Sequence, residues 1–250
     1  TSKGYLLVVL SSHNDEELER ENINFLWEKR VDGIMVISTG QNEDLLWKIY
    51  ESGTQVVFID IKPRKNIFSS VYTDKQIAAK KATDLFIRYG HKKIALVTGM
   101  KKLISNEQRF NGYISTLYDN GIPINNDYIW FGDFAPKTGI EFMEWYVKQD
   151  SDNRPTAILS GSAMITYEIL LGAKQYGIRI PDDISLISYG NFLFDKLIEP
   201  RITYISEFAE EIGEAAVELV LDKIQNPSAH ERQVVMEGEL IENDSVKHIE

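Results

Sequence analysis

The stretch RIPDDISLISY, residues 179–189, decides the fold of this chain. Pro181 and the two aspartates that follow it stop the helix expected before them, because proline lacks a backbone N–H and clashes with the preceding helical turn. The apolar run 184–187 follows at once and has the length of a strand that is covered on both faces. Residues 179–189 therefore predict a crossing from a helix into a buried strand of an α/β protein.

The same alternation of short apolar runs and helical periodicity continues along most of the chain. Strands are predicted at residues 5–10, 33–37, 55–59, 93–97, 128–131, 156–159, 184–188, 202–205 and 234–241. Between them, segments 106–118 and 208–224 carry apolar residues three and four positions apart, as amphipathic helices do. Gly90, Gly121 and Gly177 stand where helices are expected to end. The pattern predicts doubly wound parallel sheets with right-handed crossovers.

Composition limits the class of protein. With 250 residues, 43% of them hydrophobic and 26% charged, the chain is an ordinary globular protein that is long enough for two domains. No apolar run approaches the ~18 residues that cross a bilayer, so no membrane partner is predicted. The absence of cysteine excludes disulfides and thiolate chemistry and fits a reducing compartment such as the cytoplasm. A net charge of −11 argues against a direct grip on nucleic acid.

No pattern of catalysis or metal binding stands out. The four histidines, His13, His91, His230 and His248, show no metal-ligand spacing, and His91 is interpreted as a cap at a helix end. Phosphate-binding glycine motifs are absent from the sequence. Residues 11–15 contain serine, histidine and aspartate, but adjacency in sequence is not the geometry of a triad. We therefore predict a binding protein and not an enzyme, with no catalytic residue, metal site or cofactor.

Short motifs spread over most of the chain occur in a recognisable order. They are EKRVDGIMV at 28–36, QVVFID at 55–60, VYTD at 71–74, RYGHKKIALVT at 88–98, RFNGY at 109–113, RIPDDISLISY at 179–189 and LIENDS at 240–245. The ordered set resembles the lactose/galactose-repressor (LacI/GalR-type) family of bacterial transcriptional regulators. This resemblance implies a regulator, expected to be a repressor, that senses a small molecule through a periplasmic-binding-protein type I-like fold.

The resemblance also implies a domain organisation. Two α/β subdomains joined by three crossovers are expected at residues 1–88 with 206–229 and at 90–203 with 232–250, with the effector in the cleft between them. The chain begins where the family places its second strand, so the DNA-binding head and first strand are expected upstream. A missing first strand would leave neighbouring strands with unpaired backbone groups. The partners implied are a second copy of the chain and operator DNA, the latter through an N-terminal domain outside this chain.

Three candidate ligand-binding residues follow from the resemblance and from their chemistry. Arg109 is the leading candidate, because it offers a rigid fork of donors that suits hydroxyl pairs, carboxylates and phosphates; the alternative is a surface arginine beside Glu107. Asp74 is able to accept hydrogen bonds from ligand hydroxyls and also to cap the helix that follows. Phe134 corresponds to an aromatic wall of the family's pocket, or else packs within its loop.

Two departures from the family pattern bear on the ligand. Ser162-Ala163 stands where the family usually has Asn-Asp, and the turn 188–191 lacks the usual aspartate. Ser162 and Asn191 are expected to form hydrogen bonds in their place. The loss of two carboxylates makes the expected pocket less acidic, so a sugar phosphate or sugar acid is accommodated as well as a neutral sugar.

Two other functions remain open from the sequence. An exported sugar-binding protein of a transporter shares the bilobal fold, and the residues before Thr1 would distinguish a helix-turn-helix head from a charged and apolar leader. An α/β enzyme would need a nucleophile–base pair or a metal in its pocket. The favoured hypothesis is the ligand-sensing and dimerisation region of a cytoplasmic regulator, in which a sugar or sugar derivative alters operator affinity.

Overall fold

The computed structural model describes residues 4–132, 137–191 and 197–249. The chain divides into two compact units, Thr1–Tyr72 with Ala209–Val235 and Thr73–Phe208 with Met236–Glu250. Each unit is an α/β structure in which neighbouring strands are mainly parallel, which confirms the predicted fold class. No helix within the described ranges is both long enough and apolar enough to cross a membrane.

The first unit is built on a four-stranded sheet. Its strands, in spatial order, are β1 (Gly33–Val36), β2 (Gln55–Ile59), β3 (Ser69–Thr73) and β9 (Gln233–Met236). Its helices are α1 (Glu16–Glu28), α2 (Glu43–Glu51) and α7 (Ala209–Gln225). The helix α7 lies close against β1, because a Cβ atom on Gly33 would come within 2.8 Å of Val220 Cγ2.

The strand predicted at residues 5–10 is wrong. Residues 5–10 have no strand conformation, and Leu6 and Leu7 are 94% and 72% exposed. A strand needs a neighbour to satisfy its backbone N–H and C=O groups. Among the described residues, β1 pairs with β2 alone, and residues 5–10 pair with no strand. An apolar run indicates a tendency to form a strand, but a strand forms only where a neighbouring strand accepts and donates its backbone hydrogen bonds.

The second unit contains a six-stranded sheet. In spatial order its strands are β10 (Glu239–Ile241), β8 (Thr203–Ser206), β7 (Ser185–Tyr189), β6 (Ala157–Ser160), β4 (Ile94–Thr98) and β5 (Ile129–Phe131). Its helices are α3 (Lys75–Arg88), α4 (Ile104–Asp119), α5 (Thr138–Lys148) and α6 (Ala163–Tyr176). All strands except β10 run parallel, so the carboxyl ends of β4 to β8 meet at one edge.

The single strand predicted at 234–241 is also wrong. It is two strands, β9 and β10, which belong to different sheets. Gly238 lies between them, where a Cβ atom would come within 3.0 Å of Thr73 Cγ2 and 3.2 Å of Ala78 Cβ. The crowded backbone at this point separates the two ladders, although the apolar pattern continues across it.

Both faces of the second sheet are covered, as the continuous apolar runs predicted. In β4, Ile94 and Leu96 join one buried cluster with residues of α3 and α4, whereas Ala95 and Val97 join the opposite cluster with α5 and α6. The contact between α3 and α4 is close, because a Cβ atom on Gly112 would lie 2.3 Å from the carbonyl oxygen of Gln76. This packing places α3 in the second unit, whereas the sequence-based bounds assigned residues up to 88 to the first.

The decisive stretch 179–189 folds as predicted. The helix α6 ends at Gly177, whose φ of +68° is the left-handed conformation of a helix C-cap. Arg179 then donates to the Asp183 carboxylate from its backbone N (2.8 Å) and its guanidinium (2.7 Å). These hydrogen bonds lower the pKa of Asp183 to about 2. The turn they close leads directly into β7, which is buried along its whole length.

Candidate functional site

Charged and aromatic side chains meet beyond the carboxyl ends of β4, β7 and β8. Lys75 is the first residue of α3, Arg109 lies on α4, Tyr189 ends β7 and Glu207 follows β8. We call these four residues the Arg109 cluster. In α/β proteins the carboxyl edge of a parallel sheet is where ligands bind.

Arg109 is held from three sides. Its Nη1 donates to Asn106 Oδ1 (3.0 Å), its Nη2 lies 3.5 Å from Glu207 Oε1, and its Cζ lies 4.1 Å from the centroid of the Tyr189 ring. The residue is only 9% exposed. Within the described part of the chain, its buried Nε–H has no acceptor. A buried donor without an acceptor costs about 1–3 kcal/mol, so a ligand oxygen at this point would bind favourably.

Asn106 fixes the orientation of the arginine. Its Oδ1 also accepts from Thr98 Oγ1 at 3.0 Å, and its Nδ2 donates to the carbonyl oxygen of Met100 at 3.0 Å. Thr98 is the last residue of β4, and Asn106 lies in the first turn of α4. Thr98 at the end of β4 thus fixes the orientation of the Asn106 amide, and this amide fixes the plane of the Arg109 guanidinium.

Glu207 is the carboxylate of the cluster. Lys75 Nζ lies 3.3 Å from Glu207 Oε1, the same oxygen that Arg109 contacts. Thr73 Oγ1 donates to the backbone oxygen of Glu207 at 3.1 Å. Gly190, with φ +84°, leaves room for the carboxylate, because a Cβ atom there would lie 3.2 Å from Glu207 Oε2. The turn 188–191 lacks the usual aspartate, and Glu207, which follows β8, brings a carboxylate beside this turn.

Asp74 and Ser162, two of the predicted ligand residues, are helix caps. The Asp74 carboxylate accepts from the backbone N of Ile77 at 2.9 Å at the start of α3. The Ser162 hydroxyl accepts from the backbone N of Ile165 at 3.2 Å at the start of α6. Both residues are half-buried, and capping still leaves Asp74 a second carboxylate oxygen and Ser162 a hydroxyl hydrogen. The structural role and the predicted binding role are compatible in each case.

Two of the predicted residues, Asp74 and Asn191, lie close to the cluster along the chain. Asp74 directly precedes Lys75, and Asn191, which is exposed, directly follows Gly190. Ser162 follows Gly161, where a Cβ atom would lie 2.2 Å from the hydroxyl of Thr98. Phe134 lies outside the described residues.

Sequence reasoning missed the residues that hold Arg109 in place. Lys75, Asn106, Tyr189 and Glu207 were not among the candidates. One signal was present, because Glu207 follows the predicted strand 202–205 and so comes at the carboxyl edge of the sheet. The pairing of Glu207 with Lys75 and Arg109 spans 132 and 98 residues and is invisible to local patterns.

Comparison with known proteins places the chain among regulators. A family model described as a periplasmic binding protein-like domain matches residues 83–246. The HTH-type transcriptional repressor PurR of Pectobacterium atrosepticum is 30% identical over 248 residues, which are 98% of this chain and 72% of that protein. A transcriptional regulator LacI from Bacillus cereus subsp. cytotoxis has a TM-score of 0.89 at 22% identity, covering 100% of this chain and 88% of that chain.

A LacI family transcriptional regulator from Enterococcus faecium, solved with bound ribose, has a TM-score of 0.80 at 21% identity over 92% of this chain and 85% of that chain. At these identities the two solved structures establish the fold. The similarity to the repressor covers nearly the whole chain, which favours a regulator over an exported binding protein of a transporter. The chain belongs to the periplasmic binding protein-like domain family and, within it, to the effector-binding regions of lactose/galactose-repressor-type transcriptional regulators.

Proposed function

We propose that the chain binds a small metabolite at the Arg109 cluster and that this binding changes the affinity of a repressor for its operator DNA. The observation that carries the proposal is the buried Arg109 Nε–H, for which the described residues offer no acceptor, at the carboxyl edge of the second sheet. Asn106 and Tyr189 hold the guanidinium in position before any ligand arrives. A preorganised donor of this kind lowers the entropic cost of binding.

The effector is a sugar or a sugar derivative in this proposal. The donors of Arg109 and Lys75 suit a molecule rich in acceptor oxygens, and in this proposal Asp74, Ser162 and Asn191 form further hydrogen bonds to it. The Enterococcus faecium regulator, solved with ribose, supports this class of ligand. If Phe134 supplies an aromatic wall, it would cover the apolar face of the ring.

Operator DNA is contacted through a separate DNA-binding domain in this proposal, as in an HTH-type repressor. The net charge of −11 supports a sensing role for these residues and not a DNA-contacting one. The effector acts on DNA affinity only through its different affinities for the two conformational states of the regulator. Because its target is the bacterial genome, we place the protein in the cytoplasm.

The chain forms a homodimer in this proposal, and α6 supplies part of the contact. Met164, Tyr167 and Leu171 follow one another at helical spacing on α6 and are 59%, 50% and 41% exposed. A stripe of large apolar side chains on one helix face marks a protein contact more often than a solvated surface. Dimerisation would present two DNA-binding domains to a palindromic operator.

A thermal-shift screen of the chain against sugars, sugar phosphates, sugar acids and purines tests the proposal. An effector at about 100 times its Kd should stabilise the folded chain by about 2.7 kcal/mol. We expect at least one sugar derivative to raise the Tm, with the purines as the comparison class. A flat response to every compound would contradict the sensing function.

A further inference from the structure

We propose that the effector carries an anionic group, a carboxylate or a phosphate, which binds Lys75 and Arg109 in place of the Glu207 carboxylate. The inference rests on the proposed function and specifies the charge of the ligand at the same site. Glu207 then acts as an internal anion that holds the site until the effector displaces it.

The first argument is the sharing of a single oxygen. Lys75 Nζ and Arg109 Nη2 both contact Glu207 Oε1, at 3.3 and 3.5 Å. Strong charge-assisted N–H···O bonds are shorter, about 2.7–2.9 Å. Neither cation therefore makes a full-strength bond to Glu207. A ligand anion that meets each cation at a shorter distance would gain at both.

The second argument is the difference in burial between the partners. The side chains of Lys75 and Arg109 are 0% and 11% exposed, whereas that of Glu207 is 28% exposed. A buried ammonium or guanidinium is stable only with an anion nearby. The two buried cations therefore need a negatively charged partner, whether Glu207 or a ligand. Glu207 has the most exposed side chain of the three, and its backbone oxygen accepts from Thr73 Oγ1. In this proposal the Glu207 side chain rotates toward solvent when the effector binds.

The third argument is the geometry of the guanidinium. Nε and Nη2 form one edge of the arginine fork, the edge that a carboxylate or phosphate bridges with two oxygens. Within the described residues Nε has no acceptor, and Nη2 has only the long contact to Glu207. Nη1, on the other edge, is already bonded to Asn106. This edge thus matches the two oxygens of a carboxylate or phosphate.

A neutral sugar would use the site in the opposite way. Its hydroxyls would donate to the Glu207 carboxylate, so Glu207 would be a binding residue and its loss would weaken affinity. For an anionic effector Glu207 is a competitor, and its loss would strengthen affinity. The sign of the effect of Glu207→Gln therefore separates the two possibilities.

The test is titration calorimetry with the chain, Glu207→Gln, Lys75→Met and the control Glu144→Gln, whose carboxylate forms an exposed pair with Lys148. The probes are glucose, galactose and ribose, with the corresponding sugar phosphates and aldonates. Comparing the sugar phosphates with the aldonates shows whether the anionic group is a phosphate or a carboxylate. Circular dichroism confirms that each variant is folded, and Glu207→Gln alone decides the sign if Lys75→Met fails to fold.

We expect a phosphate or an aldonate to bind, about tenfold more tightly to Glu207→Gln and about tenfold more weakly to Lys75→Met, the size of one charge-assisted hydrogen bond. Its affinity should also fall as salt is raised. Binding of a neutral sugar alone, weakened by Glu207→Gln, would overturn the inference and leave the proposed function standing. An anionic probe that Glu207→Gln binds more weakly would also overturn it. No binding of any probe would contradict the proposed function as well.

Discussion

The guanidinium of Arg109 lies over the ring of Tyr189, with 4.1 Å between Cζ and the ring centroid. Tyr189 ends β7 and is only 1% exposed, so the ring is a fixed platform. A cation over an aromatic face gains about 0.5–2 kcal/mol, more when water is excluded. The ring and Asn106 together set both the tilt and the rotation of the arginine plane.

Two mid-helix glycines should respond to alanine with opposite signs. Gly112→Ala should lower the free energy of unfolding by about 1–3 kcal/mol, because the new Cβ atom would lie 2.3 Å from the Gln76 carbonyl oxygen. Gly213→Ala should raise it by up to about 1 kcal/mol, because no atom of the described residues lies within 4 Å of its Cβ position and alanine favours the helix. Urea unfolding measures both. Equal effects of the two substitutions would refute the close approach of α3 and α4.

A buried ion pair should stabilise the first unit. Lys223 Nζ, 1% exposed, lies 2.6 Å from Glu231 Oε1, and Tyr50 and Ser69 also donate to this carboxylate. Burial raises the pKa of Glu231, but the hydrogen bonds from Lys223, Ser69 and Tyr50 outweigh it and leave the pKa below its usual value. The hydrogen bond to Glu231, together with burial, raises the pKa of Tyr50 to about 12.

Glu231→Ala should therefore cost about 3 kcal/mol in the free energy of unfolding, because Lys223 is left buried without its carboxylate. Glu144→Ala is the control, since its pair with Lys148 is exposed and is worth at most about 1 kcal/mol. Because the folded pKa of Glu231 is depressed, its contribution is present at neutral pH and is lost as the pH falls through that pKa. Comparable losses in the two variants would contradict this account.

His91 should make the stability of the second unit depend on pH. The predicted helix cap is wrong for its side chain, because Nδ1 contacts Thr156 Oγ1 (2.9 Å) and Nε2 contacts the Lys247 carbonyl oxygen (3.0 Å). Burial lowers the pKa of His91 from 6.5, so the folded chain keeps the ring neutral while the unfolded chain takes up a proton. Its contribution is therefore complete above about pH 6.5 and is lost as the pH falls below that value.

The measurement is the difference in unfolding free energy between the chain and His91→Gln at about pH 7.5 and about pH 5.5. We expect a smaller difference at the lower pH, because protonation of the histidine in the unfolded chain then removes the stability that the buried neutral ring contributes. The other histidines are common to both proteins and cancel. A difference that stays constant or grows on acidification would be inconsistent with the buried neutral ring.

The apolar stripe on α6 should control the oligomeric state. The double variant Met164→Glu and Leu171→Glu should be a monomer by light scattering under conditions in which the chain is a dimer. Its Tm should otherwise reflect only the loss of dimerisation, because both side chains are exposed. Val217→Glu, on the exposed side of α7, is the matched control. A dimer that persists in the double variant would exclude this helix from the contact.

Several of the strands that the sequence predicted correctly are covered on both faces. Their apolar runs are continuous, as in β4, β6 and β7. The strand β3 was not predicted, because Ser69 and Ser70 interrupt the apolar pattern although both are fully buried. Ser69 is accommodated by its hydrogen bond to Glu231, a contact 162 residues away. A buried polar residue such as Ser69, whose partner is distant in the sequence, is one reason that such a strand escapes a local pattern.

The sequence predicted only part of the candidate site, because its residues come from distant parts of the chain. Arg109 and Asp74 stood out because each lies in a motif that resembles a known family. Lys75 had no such signal and Glu207 had only its place after a predicted strand, because a lysine at a helix start and a glutamate after a strand are ordinary surface residues. Only the fold shows that the lysine is fully buried and that the glutamate lies between two cations.

The most direct test is titration of the compound found by thermal shift into the chain, Arg109→Lys and the control Arg88→Lys. Lysine keeps the charge of Arg109 but lacks the planar fork that Tyr189 and Asn106 orient. If the effector binds at the Arg109 cluster, Arg109→Lys should weaken its affinity at least about tenfold, whereas Arg88→Lys should leave it unchanged. Equal affinities for all three proteins would contradict the account.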